Sequence, residues 1–189
     1  MKKVLSVLLL AIAVLCGCIR YQPILIPEPI PFVPTANVSP PFEIDAVTSA
    51  SPKETSDPGV MAQALSEDGY WILSILSDVH MQGELNVEGT FHDKDDPAAP
   101  VYRKLALYAQ DANHNVTANY TLITPRINVL SPNFRIQNGT VRGDIYVNAH
   151  GFQLTGTILD GNLIFASQAI SASADISTAV INGEVSVGN

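Results

Sequence analysis

Cysteine is almost missing from this sequence, and its absence removes several kinds of structure. The chain of 189 residues has only two cysteines, Cys16 and Cys18, both near its beginning. The rest of the chain can therefore form no disulfide framework and no thiolate metal cluster. The four histidines are scattered without the spacing of metal ligands. The sequence predicts neither a metal site nor a bound cofactor.

Charge is also scarce, and little of it is positive. Charged residues make up 15% of the chain, and the formal net charge is −8. The lysines and arginines form no basic stripe, so nucleic acid is not an expected partner. The chain also lacks a nucleophile elbow, a phosphate-binding loop and a zinc signature. From these absences we predict that the protein is not an enzyme and has no catalytic residues.

The sequence does contain a leader. Lys2 and Lys3 precede an apolar run over 4–15, which is too short to span a bilayer because spanning needs about 20 residues. This shape predicts a signal peptide over 1–17. Residues 15–18, Leu-Cys-Gly-Cys, resemble the lipobox of prokaryotic lipoproteins, although Cys16 stands where a small or β-branched residue is usual. The resemblance implies that Cys18 is lipidated and holds the protein on the lipid bilayer; the alternative is an ordinary cleaved signal.

Residues 18–56 are predicted to form a spacer behind the lipidated cysteine. Seven prolines between positions 21 and 41 exclude a helix or a sheet interior, because proline fixes φ and lacks an N–H donor. A proline-rich segment of this kind is typical of a semi-rigid stalk. Leader and spacer together predict an exported protein, anchored to the outer face of the cytoplasmic membrane or to another membrane of the cell envelope.

Residues 57–189 are predicted to form one β domain whose last part repeats itself. Segments 134–147 and 152–165 match at a step of 18 residues, which also separates Gly143 from Gly161. A looser third copy places Gly183 another 22 residues on, with an insertion near 173–176. Such repeats predict an all-β fold, a single-stranded right-handed β-helix (β-solenoid) with coils of about 18 residues. The alternative is an antiparallel meander.

We divide this domain into a cap at 57–76, irregular first coils at 77–133 and regular coils at 134–189. Asp57 and Pro58 predict the start of a short capping helix, and 70–76 has the pattern of a buried strand. Tyr70 and Trp71 allow two interpretations. They either form a platform that stacks against sugar rings, or they close the first edge of the solenoid, which is the interpretation we favour.

Stacked coils bring equivalent residues into columns. Asp144, Asn162 and Glu184 are predicted to line up on one side of the molecule, and the three repeat glycines to meet at a corner. Two further stacks are expected from the same alignment. Val141 should lie under Ile158 in the core, and Ser171 should continue the outward column of Arg135 and Gln153.

The glycine-centred copies, such as Gly-Asp-Ile-Tyr-Val at 143–147, resemble the repeats of bactofilins, which are polymer-forming cytoskeletal proteins built as right-handed β-helices. The span 65–187 is also similar to prokaryotic lipoproteins whose tails carry such repeats. This resemblance implies the fold and, with it, end-to-end self-association. The predicted signal peptide argues against a cytoskeletal role.

These observations predict a membrane-anchored, extracytoplasmic lipoprotein whose β-helix acts as a structural, self-associating scaffold at the cell envelope. The expected homo-oligomer would form through the edge at Ile181, Gly183, Val185 and Val187, because nothing in the sequence there is suited to cover an open strand. The alternative function is a cell-surface polysaccharide-binding module that uses Tyr70 and Trp71.

Overall fold

The computed structural model describes residues 53–188, and β-strands dominate that span. The predicted signal peptide, the lipidation site Cys18 and nearly all of the spacer lie outside the described residues. The described helices are α1 (Pro58–Ala64) and α2 (Gln168–Ala172), and a single 3-10 turn spans Asp93–Asp95. The strands are β1 (Lys53–Glu54), β2 (Ile72–Ser74), β3 (Val79–His80), β4 (Leu85–Val87), β5 (Arg103–Ala106), β6 (Tyr108–Gln110), β7 (Val116–Asn119), β8 (Thr121–Val129), β9 (Phe134–Gln137), β10 (Thr140–Val147), β11 (Gln153–Thr155), β12 (Ile158–Asp160), β13 (Leu163–Phe165), β14 (Val180–Ile181) and β15 (Val185–Val187).

Most strands belong to two parallel sheets, which the chain visits alternately. The first sheet has the order β1-β2-β5-β9-β11. In the second sheet β8 lies between β3 and β4 on one side and β10 on the other, and β12 and β13 separate β10 from β14 and β15. Strand order in space follows strand order in the chain. The all-β prediction is confirmed, and the parallel pairing rules out an antiparallel meander for these sheets.

The pairing register preserves the repeat that the sequence shows. Ile145 pairs with Leu163 and Leu163 with Val185, while Val147 pairs with Phe165 and Phe165 with Val187. Side chains of alternate residues point to the same face of a strand, so these columns point inward together. Their members up to Leu163 and Phe165 are at most 1% exposed and belong to a continuous apolar core.

Two of the predicted stacks are wrong. Val141 pairs with Leu159 rather than Ile158, because the step of 18 residues holds on both sides of the glycine corner; Ile158 pairs with Thr140 and is 40% exposed. Ser171 does not continue the column of Arg135 and Gln153, because it lies in α2. The insertion is this helix, which begins before position 173, and Asp175 pairs with Gln153 instead.

The cap and the first coils contain elements that the sequence predicted. Helix α1 begins after Asp57, whose carboxylate accepts the backbone N–H of Val60 at 2.9 Å, and β2 lies inside the predicted strand. Two short strands expected around Pro125 are in fact one strand, β8. The proline is tolerated there because the register between β8 and β10 shifts at that point, opposite Gly143.

Candidate functional site

The repeat glycines form a stacked corner, as predicted. A Cβ added to Gly161 would lie 2.1 Å from the carbonyl oxygen of Gly143, and one added to Gly183 would lie 2.2 Å from that of Gly161. Gly143 itself has a φ of 135°, which side chains with a Cβ rarely adopt. The backbones of successive repeats therefore approach each other so closely here that only glycine fits.

The predicted polar column is also confirmed. The backbone N–H and the side-chain amide of Asn162 both donate to Asp144 Oδ1, at 2.9 and 3.1 Å, and the N–H of Glu184 donates to Asn162 Oδ1 at 3.0 Å. Each side chain thus binds the backbone of the following repeat. This arrangement is a hydrogen-bonded ladder that fixes the spacing of the strands.

Arginines on the outer face of the second sheet lie beside carboxylates. Arg126 is 3.8 Å from Glu84, and Arg142 is 3.5 Å from Asp160, which also accepts a hydrogen bond from Asn182. These side chains are well exposed, so each pair adds about 0–1 kcal/mol to the free energy of unfolding. The face is electrostatically balanced, and its polar residues bind one another.

The edge predicted for self-association is exposed. Within residues 53–188, β14 and β15 pair with another strand on one side only. Val185 and Val187 continue the buried columns but are 48% and 37% exposed, and Gly183 is exposed as well, whereas Ile181 is half-buried. We call β14 and β15 with these side chains the exposed edge. It presents both unpaired backbone groups and apolar side chains.

The two aromatic residues predicted to stack against a ligand lie in different environments. Trp71 is 3% exposed and packs against Tyr102 with ring centroids 6.3 Å apart, so the prediction that it offers a face to a sugar is wrong. Tyr70 is 37% exposed. Trp71 is instead part of the packing at the first strands, in line with the edge-closing interpretation.

Arg103 is a structural residue that the sequence did not reveal. It is 0% exposed and donates to four backbone carbonyl oxygens, those of Ala64, Ser66, Tyr70 and Glu88. Burial lowers the pKa of Arg103 to about 10, against a partial opposing effect of Glu88. An arginine in a β pattern normally reads as outward, so no sequence signal indicated that this side chain ties the cap to the sheet.

Two further cations meet on the outer face of the first sheet. Lys104 and Arg135 are direct register partners on β5 and β9. The Lys104 ammonium donates to the Tyr108 hydroxyl at 3.1 Å, and Arg135 Nε donates to Gln153 at 2.6 Å. Burial, and secondly the charge of Arg135, lower the pKa of Lys104 to about 8. The sequence showed only scattered cations and missed this pairing.

Comparisons of the chain with protein-family models, curated proteins and solved structures found no match. Neither helix within residues 53–188 has the length and apolar character needed to span a membrane. In the same span, no group of three or more histidine, cysteine, aspartate or glutamate side chains is placed to hold a metal ion. The candidate sites are therefore the exposed edge and the two-cation face.

Proposed function

We propose that the two parallel sheets are faces of a right-handed single-stranded β-helix, and that the protein is a membrane-anchored scaffold of the cell envelope that self-associates through its last coil. Support for the β-helix comes from the alternation of the chain between the sheets and from the constant register step of 18 residues in the regular region. Consecutive passes stacked in this manner are what a solenoid requires.

The observation that carries the scaffold proposal is the exposure of Val185 and Val187. Both stand in columns whose other members are buried, so they present the apolar interior of the fold to solvent. Apolar surface of this kind, beside a strand with free N–H and C=O groups, favours pairing with a further strand. A second copy offering the same edge can supply that strand, which gives an isologous contact.

The membrane anchor rests on the leader and Cys18, which lie outside the described residues. A lipid on Cys18 followed by a proline-rich spacer would hold the domain at a distance from the bilayer. The likeness of the glycine repeats to those of bactofilins supports polymer formation, and it supports no enzymatic activity. Anchored copies confined to a membrane surface also meet at a high effective concentration, which favours association through a modest contact.

Sedimentation velocity on the chain from residue 19 onward tests the association without a contribution from lipid. We expect the sedimentation coefficient to rise with protein concentration. The double substitution Val185→Glu and Val187→Glu should abolish that rise, because it places charges on the exposed edge, while the far-UV spectrum stays unchanged.

The matched control is Val116→Glu on β7. Val116 is 46% exposed, much like Val185, but it lies on the antiparallel hairpin of β6 and β7 rather than on the exposed edge. Concentration-dependent sedimentation should survive this substitution. A protein that stays monomeric at millimolar concentration contradicts the proposal, as does association that both glutamate variants weaken equally.

A further inference from the structure

We propose that Lys104 and Arg135 form a binding site for an oxyanion, a carboxylate or a phosphate group, on the outer face of the first sheet. The two residues are register partners on adjacent parallel strands, so their Cα atoms are about 4.8 Å apart and their side chains leave the same face. Two cationic side chains thus stand side by side. Like charges at this separation repel each other unless an anion lies between them.

The protein itself supplies no such anion. Among the described residues, no carboxylate oxygen lies within 4 Å of either side chain, whereas both arginines on the outer face of the second sheet have one. The nearest acidic position in the column is Asp175, which lies beyond Gln153 and accepts hydrogen bonds from Ser177. In a chain of net charge −8, an unbalanced pair of cations is a local exception.

The pair is partly shielded from water and held in place. Lys104 and Arg135 are both half-buried, so each retains some access to solvent. The Arg135 guanidinium lies 5.4 Å from the centre of the Tyr102 ring, and Trp71 packs against that ring. Lys104 lies 5.3 Å from the centre of the Tyr108 ring. Pre-positioned cations in a region of lowered dielectric bind an anion more strongly than mobile surface cations do.

The hydrogen-bonding capacity of the pair suits an oxyanion. A lysine has three N–H donors and an arginine has five, so the bonds to Tyr108 and Gln153 occupy a minority of them. Arginine and lysine donors are those that proteins use for carboxylate and phosphate groups. The lowered pKa of Lys104 reports the missing counter-charge, because an anion beside the ammonium group would raise it.

Calorimetric titration of the protein with two probes tests the site and separates the two sources of the anion. The probes are a trisaccharide of galacturonate, which carries carboxylates, and inorganic phosphate. Binding of the first alone identifies a carboxylate ligand, binding of the second alone a phosphate ligand, and binding of both a general oxyanion site. Absence of binding by either probe at low ionic strength overturns the proposal.

Substitutions then place the bound anion. Lys104→Met and Arg135→Gln should each weaken binding at least about tenfold, since each removes one of two charge-assisted contacts. Arg142→Gln is the matched control, because that arginine is also an outward side chain on a parallel strand but already faces Asp160. An equal loss in the control, or no loss in the first two variants, contradicts the assignment.

The pH dependence gives a second readout that does not depend on a destabilising variant. The groups around Lys104 are Arg135 on β9 and the hydroxyls of Tyr108 and Tyr102, with Asp93 and Asp175 farther off. Since Lys104 loses its charge as the pH rises through about 8, galacturonate affinity should fall about tenfold between pH 6.5 and 9.5. Lys104→Arg should bind at both pH values with the fall removed. A fall that persists in Lys104→Arg shows that another group titrates and overturns the role of Lys104.

Discussion

The first and last strands of this fold end the same core in different ways. At the first strands, the core side chains Leu73, Leu85 and Val87 are 0% exposed, and α1 adds the buried side chain of Leu65. At the exposed edge, the side chains in equivalent columns remain about half accessible to solvent. The core is therefore closed at its beginning and open at the last described strands.

The difference shows that a repeat does not complete its own stack. Each repeat buries the apolar face of its neighbour, so the last one always leaves a face over. The closed end solves this with residues that belong to no repeat: helix α1, the buried Trp71 and the buried Arg103. The described residues offer no corresponding cap at β15, which is the basis for assigning association to that edge.

Removing the tie at the closed end should have the largest effect. Arg103→Met leaves four buried carbonyl oxygens without their donor, so we expect the free energy of unfolding to fall by about 3 kcal/mol or more. Urea unfolding followed by circular dichroism measures the change. Arg142→Met, which removes an exposed ion pair, should cost less than about 1 kcal/mol. Similar losses for the two variants would show that the closed end does not depend on Arg103.

The glycine corner separates the regular coils near the open end from the irregular coils near the closed end. Gly161→Ala forces a methyl group against the backbone of the preceding repeat, and overpacking of this kind costs about 1–3 kcal/mol. Gly83 lies in an earlier copy of the pattern, and a Cβ there would meet nothing within 4 Å. Gly83→Ala should therefore change stability by less than about 0.5 kcal/mol or raise it. Equal destabilisation at both positions, in the same urea experiment, would argue against a stacked corner.

A single column offers the smallest and most direct test. Val147 and Val187 flank Phe165 in one inward column, but Val147 is 0% and Val187 is 37% exposed. Val147→Ala should lower the free energy of unfolding by about 2 kcal/mol, and Val187→Ala by less than about 1 kcal/mol in dilute solution. If copies associate through the exposed edge, the cost at Val187 should grow with protein concentration. A cost that stays constant in an associating protein would place the contact elsewhere.

Several local features were predictable because they depend on neighbouring residues. Asp57 and Pro58 start a helix by satisfying or removing donors of its first turn, and this holds in almost any tertiary context. The alternation around Gly143 and Gly161, with its constant step, likewise predicts which side chains share a column. The predicted stacks failed at Ile158 and Ser171 because in one case residues were matched by type rather than by step, and in the other a helix stood in the insertion.

The contacts of Arg103 and the approach of Lys104 to Arg135 had no such signal. Arg103 reaches carbonyl oxygens as far as 39 positions away, and an irregular stretch that includes the hairpin of β6 and β7 separates Lys104 from Arg135. Residues joined through irregular segments have no fixed spacing. Their meeting depends on the path of the chain, which composition and periodicity do not specify.

The sequence by itself determined the all-β class, the capping helix, the repeat step, the glycine corner and the polar ladder of Asp144, Asn162 and Glu184. Each follows from a periodic or short-range pattern, in which the same steric and hydrogen-bonding rule acts at every repeat. Only the tertiary structure decided that Trp71 is buried, that Arg103 ties the cap and that Lys104 and Arg135 share a face without a carboxylate. Burial and charge balance are sums over everything that surrounds a side chain, and those surroundings exist only once the chain has folded.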